Sequence, residues 1–170
     1  DNPSPNYLLV LQIAQKRALA ENAALCIVES DVVVKPSTLQ ELFDGAKHFD
    51  DCGIAAAVTV DGNEQINYPY LFAKDLPKEA VPTQKHLSFC CSLLTTAFMS
   101  KFSFELLNPD KNWHDVTVSH KSLALGFKNY LFTNLTVLHQ PHGSRPWKQL
   151  KYTNPLKYYW LKLINRRDKI

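Results

Sequence analysis

Along the first sixty residues the spacing of apolar positions changes repeatedly, and each change predicts an element. Tyr7, Val10, Leu11, Ala14 and Ala18 recur at helical intervals, which predicts an amphipathic helix from about Asn6 to Ala23. Leu25-Cys26-Ile27-Val28 then reads as a short apolar strand that ends in Glu29-Ser30-Asp31. Pro36-Ser37 followed by Gln40 predicts a helix start with a capping box, and Leu39, Leu42, Phe43, Ala46 and Phe49 mark its buried stripe. Gly53 to Val60 is a second buried strand, closed by the turn residues Asp61-Gly62-Asn63. Helix, strand, helix, strand in this order predicts part of a parallel-sheet α/β unit.

Beyond Tyr68 the period is lost. Pro69, Pro77 and Pro82 punctuate the chain as far as Lys85, which predicts a long surface excursion of the kind that often carries function. His86 to Thr96 returns as an apolar strand, followed by a short helix around Ala97 to Leu107. Asn112-Trp113-His114-Asp115 opens another helix, with Val116, Val118, Leu123 and Leu125 as its apolar surface and Gly126 as its stop. Asn129 to Phe132 and Leu135 to His139 read as two further short strands. From Gln140 onward the chain differs in kind: Arg145, Lys148, Lys151, Lys157, Lys162, Arg166, Arg167 and Lys169 stand against one acid, Asp168. Trp147, Tyr152, Tyr158, Tyr159 and Trp160 are interleaved with them.

Composition narrows the classes. With 170 residues, 45% of them hydrophobic and 21% charged, the chain can bury a core as one ordinary globular domain. A net charge of +3 and the lack of a recognisable binding motif speak against nucleic acid as a partner. The four cysteines, Cys26, Cys52, Cys90 and Cys91, form no CxxC pair, so neither a zinc ribbon nor a disulfide framework is predicted and reduced, cytoplasmic thiols are expected. Adjacent Cys90 and Cys91 read as buried, inert packing. No apolar run approaches the roughly 20 residues that span a bilayer, and no signal peptide pattern is evident. A start at Asp1 without methionine suggests a piece of a longer polypeptide.

The chemistry gathers at element ends. Glu29 and Asp31 sit at the carboxyl end of a strand, where open α/β sheets bind ligands. In an extended segment side chains at i and i+2 point the same way, so the pair is placed to share one cation. Mg²⁺ and Mn²⁺ are commonly held by one or two carboxylates plus substrate phosphates, which points to a nucleotide-linked substrate. A solvated loop is the plain alternative. Asp115 at a helix start is a candidate general base or simply an N-cap. His139, closing a strand, is a candidate further ligand to Mn²⁺; with His142 and His114 it offers a soft metal site, and a solvated loop histidine is the alternative. His120 lies among apolar neighbours and reads as a packed core histidine.

The order and spacing of these elements from Gln12 to His139 resemble the C-terminal two-thirds of the catalytic domain of family 2 glycosyltransferases with the GT-A fold. Glu29-Ser30-Asp31-Val32-Val33-Val34-Lys35-Pro36 stands where that family has a D-x-D-like strand end followed by a proline-started helix. His114-Asp115-Val116-Thr117-Val118, then Lys121 and Gly126-Phe127, fall in the register of its acidic pair, second Asp, Arg and Gly-aromatic. Glu29 replaces the usual first Asp, His114 the usual Glu, Thr117 the usual second Asp and Lys121 the usual Arg.

The resemblance implies an α/β, GT-A-like mixed sheet flanked by helices, lacking the N-terminal nucleotide-binding part, over residues 1–145, with a basic aromatic tail over 146–170. It also implies inverting transfer of a sugar from a nucleotide-diphosphate donor to a hydroxyl of a saccharide or lipid-linked acceptor, as in cell-wall or polysaccharide biosynthesis. Glu29, Asp31 and His139 would hold Mn²⁺ or Mg²⁺ at the donor diphosphate. Asp115 would be the catalytic base, with His114 and Lys121 at the acceptor or in support. Without the donor half the isolated chain is expected to be inactive. Two rivals are a non-catalytic carbohydrate or protein binding module of the same fold and a metal-dependent phosphoester hydrolase. The basic aromatic tail predicts peripheral contact with the inner face of a membrane; the alternative docks Tyr158, Trp160, Leu161 and Leu163 on the domain.

Overall fold

A computed structural model describes residues 7–110, 113–140 and 154–164. The helix-opening residues Asn6 and Asn112, His142 of the soft metal site, and the tail residues Arg145, Trp147, Lys148, Lys151, Tyr152, Arg166, Arg167, Asp168 and Lys169 lie outside them. Two compact units are present, Asp1–His139 and Gln140–Ile170.

The first unit is a six-stranded mixed sheet between helices. Its first helix, α1 (Tyr7–Ala20), is rich in strong helix formers and free of Gly and Pro. It ends where Asn22 takes a left-handed conformation (φ 50°), so that the Ala23 and Asn22 N–H groups reach back to the Ala18 and Leu19 carbonyls at 2.8 and 3.2 Å. The buried face differs from the apolar stripe read in the sequence: Leu11, Gln15 and Ala18 face inward, and Val10 faces out. A polar residue holds this face. Gln15 Nε2 donates to the Met99 and Phe102 carbonyls at 3.2 and 2.6 Å, and its Oε1 accepts the Phe104 N–H at 2.7 Å.

Strands β1 (Leu25–Val28) and β2 (Val32–Val33) lead into helix α2 (Thr38–Ala46). The predicted capping box does not form, because Ser37 has helical rather than extended backbone angles and its hydroxyl makes no cap bond. Thr38 Oγ1 accepts the Lys35 N–H instead, and Gln40 turns to Asp44. Leu42 and Ala46 are buried as expected, whereas Leu39 is exposed.

Strand β3 (Cys52–Val60) is buried at all nine positions. Its alternate residues feed two cores: Ile54, Ala56 and Val58 pack with α1 residues Leu11 and Ala18, and Ala55 and Ala57 pack with Leu42 and Ala46 of α2. A continuous apolar run is therefore what this strand requires. The predicted excursion from Tyr68 to Lys85 is only partly superficial. It contains a 3₁₀ turn (Leu71–Ala73), buries Tyr70 and Ala73, and supplies strand β4 (Ala80–Thr83) to the sheet.

Of the strand predicted over His86 to Thr96, only β5 (Cys91–Leu94) forms. The next helix divides into α3 (Thr96–Met99) and a 3₁₀ turn (Phe104–Leu106). Helix α4 (His114–Ala124) closes on Gly126 at φ 85°, with the Phe127 and Gly126 N–H groups bonding the Ser122 and Leu123 carbonyls. The two short strands expected after it are one, β6 (Lys128–His139), with an irregularity opposite Ala57 and Val58.

Strand order is β1-β5-β3-β6-β2, with β4 also on β6. β3 and β6 are parallel, but β5 lies antiparallel between β1 and β3, so the expected parallel neighbours β1 and β3 share a direction without touching. β1, β3 and β6 consequently bring their carboxyl ends to one end of the sheet. The second unit contributes helix α5 (Pro155–Ile164).

Candidate functional site

The carboxyl ends of β1, β3 and β6 are where an open sheet of this kind binds ligands. β1 ends at Val28, and Glu29 to Val32 form a tight turn closed by the Val32 N–H on the Glu29 carbonyl at 3.1 Å. The extended i, i+2 geometry expected for Glu29 and Asp31 is thereby replaced. Each carboxylate faces a different neighbour: Glu29 Oε2 accepts the Cys90 thiol at 3.3 Å, and Asp31 Oδ2 lies 3.6 Å from His139 Nε2. Sheet register accounts for both contacts. Val28 pairs with Cys91 and the Glu29 N–H donates to the Cys90 carbonyl, while Val32 pairs with His139.

His139 is buried and locked from behind. Its Nδ1 lies 2.8 Å from the Tyr68 carbonyl, which only accepts, so Nδ1 carries the proton and Nε2 faces the Asp31 carboxylate. Thr59 Oγ1 donates to the same carbonyl at 3.2 Å, and Asn67 Nδ2 donates to the His139 carbonyl at 3.1 Å. The segment expected to be surface loop is thus the support of the histidine. With Nδ1 donating to the Tyr68 carbonyl, the Nε2 lone pair is directed at the Asp31 carboxylate 3.6 Å away. A histidine that donates its second ring N–H to a backbone carbonyl has the usual arrangement of a metal-ligating imidazole.

Asp115 is not an N-cap. Trp113 occupies that position, and Asp115 stands in the first turn of α4, half-buried, with Oδ1 accepting the Val116 N–H at 2.9 Å. His114 is buried, and desolvation holds its imidazole below the ordinary range although Asp115 opposes this. Its ring is 6.2 Å from that of Tyr7 on α1. The Tyr7 phenol is pushed well up by burial and by the fields of Glu29, Asp115 and Cys90. Burial likewise pushes the Cys90 thiol up to about 12, with Glu29 and Asp31 adding to the effect. Glu29 and Asp115 thus both act on Tyr7, and Glu29 and Asp31 on Cys90.

Lys121 stands apart from this group. It is exposed, and six residues of helix put it about 9 Å along the axis and about 120° round from Asp115. His120 is exposed, not packed, because the inward side of α4 is taken by His114, Val118, Ser119 and Ser122. Tyr7, Asn67, Tyr68 and Cys90 were not singled out by sequence. Tyr7 read as one apolar position of a helix stripe, Cys90 as packing, and the other two as loop.

Among the described residues no group of three or more His, Cys, Asp or Glu side chains is arranged to hold a metal ion by itself. Two protein donors, Asp31 and His139, fit a cation whose remaining ligands come from substrate phosphate and water, and do not fit a closed structural site. The fold and this site define an α/β protein with an acid–imidazole pair at the carboxyl edge of a mixed sheet. No protein-family profile and no curated protein matches the chain.

Proposed function

We propose that the first unit carries the diphosphate and acceptor part of a glycosyltransferase site that uses a nucleotide-diphosphate sugar. The reading is carried by the Asp31–His139 pair, in which a carboxylate and an oriented ring nitrogen face each other 3.6 Å apart at the carboxyl edge of the sheet. Asp31 and His139 would hold Mn²⁺ or Mg²⁺, with Glu29 adjacent; when bound, such an ion neutralises charge on a departing diphosphate. Asp115 takes the proton of an acceptor hydroxyl as its oxygen attacks the anomeric carbon. The bond to the donor diphosphate breaks on the opposite face and its electron pair leaves with the diphosphate, which inverts the configuration. His114 stays neutral and, with Tyr7, walls the acceptor side. Saccharide or lipid-linked hydroxyls are the acceptors.

Calorimetric titration with UDP and then GDP in excess Mn²⁺, repeated on Asp31→Ala and His139→Ala, tests this. Binding that requires Mn²⁺ and weakens at least about tenfold in both variants supports the reading. Binding indifferent to Mn²⁺, or unchanged in both variants, refutes it. Hydrolysis of a simple phosphate ester by the wild-type chain would favour the phosphoesterase instead.

A further inference from the structure

Helix α5 turns its large apolar side chains outward. Leu156 is 86% exposed, Trp160 64% and Leu163 76%, with Tyr159 and Ile164 more than half exposed. At about 100° per residue these five fall on a single stripe, with Tyr158 and Leu161 on the opposite side. In a helix of a globular domain such a stripe faces a core. Trp and Tyr beside Leu and Ile is the composition of a helix lying in a membrane–water interface.

Charge identifies the occupant. Residues 140–170 hold eight Lys or Arg and one acid, whereas residues 1–139 hold eleven Lys or Arg and fifteen acids. The second unit is therefore the part of the chain that an anionic surface attracts, while the first carries an excess of acids. Protein interfaces with an apolar centre are depleted in lysine, so this combination suits lipid better than a protein groove. Among the described residues no helix is long and apolar enough to cross a membrane.

We propose that α5 lies in the interface of a membrane containing anionic lipid, with Leu156, Trp160 and Leu163 toward the acyl chains and Lys157 at the headgroups. This inference does not rest on glycosyl transfer. The test is co-sedimentation of the whole chain with phosphatidylcholine vesicles and with vesicles containing about one-third phosphatidylglycerol, at low and high salt. Partitioning is expected to be at least about tenfold stronger on the anionic vesicles and to fall steeply with salt. Trp160→Ser and Leu163→Glu, both at exposed positions, should each weaken it at least about fivefold with an unchanged thermal transition. Equal partitioning on both vesicle types overturns the proposal, as does anionic binding that neither variant alters. Self-association that buries the Trp160 indole in place of vesicle binding also overturns it, by making a second copy the occupant.

Discussion

Replacing Gln15 by Met isolates what the polar centre of α1 contributes. Met has nearly the same length and a similar helix propensity, so the helix itself is little changed. Three hydrogen bonds disappear: those to the Met99 and Phe102 carbonyls and that from the Phe104 N–H. Gln15 is 4% exposed, so water does not readily replace them. A buried backbone group left without its partner costs about 1–3 kcal/mol. Taking the low end for each of the three, the loss is about 3 kcal/mol, a large share of the stability of a typical domain. For a chain of this length it lowers Tm by roughly 6–12 °C. Urea unfolding followed by far-ultraviolet circular dichroism, paired with calorimetry, measures both quantities. Gln12→Met removes one bond, to the Phe104 carbonyl at 3.2 Å in a half-buried setting, and should lose about 1 kcal/mol or less. A loss below about 1 kcal/mol in Gln15→Met would show that the segment from Met99 to Phe104 finds other partners, and the reasoning would fail.

Three further outcomes follow from the same structure. Gly53→Ala places a Cβ 2.1 Å from Ser122 Oγ and 2.8 Å from Phe127 Cβ, so it should destabilise by about 1–3 kcal/mol in urea titrations, and a neutral result would mean α4 can step away from β3. His114 has its pKa lowered by burial, so the unfolded chain binds a proton near pH 6.5 before the folded one does. Stability attributable to this residue is therefore full above that pH and is lost as pH falls through it. His114→Gln should flatten the decline in unfolding free energy between about pH 7 and 5.5, and parallel pH profiles would refute the assignment. Native thiol titration should modify Cys26 alone, the exposed one of four free cysteines, while Cys52, Cys90 and Cys91 are buried with thiols pushed up to about 12, 12 and 11. All four should react in denaturant, and rapid native labelling of Cys90 would mean the floor of the site is open.

The elements that sequence determined are those whose signal is local. The unbroken apolar run of β3 reports burial on both faces, and Gly126 marks the end of α4 because a left-handed residue must follow its last turn. Asp31, Asp115 and His139 were legible as candidates because they sit at element ends, where loops gather functional side chains on a rigid scaffold.

Tertiary structure decided which of them meet. Insertion of β5 between β1 and β3 is a pairing across more than thirty residues, and nothing in the local period of β5 encodes it. That pairing sets Cys90 against Glu29, and the pairing of β2 with β6 sets Asp31 against His139. The inward face of α1 was misread for the same reason. Periodicity counts apolar residues, whereas Gln15 is buried because three backbone groups of a distant segment need its amide. Hydrophobic spacing thus specified which segments must be covered, and non-local register together with the demand of every buried polar group for a partner specified what covers them.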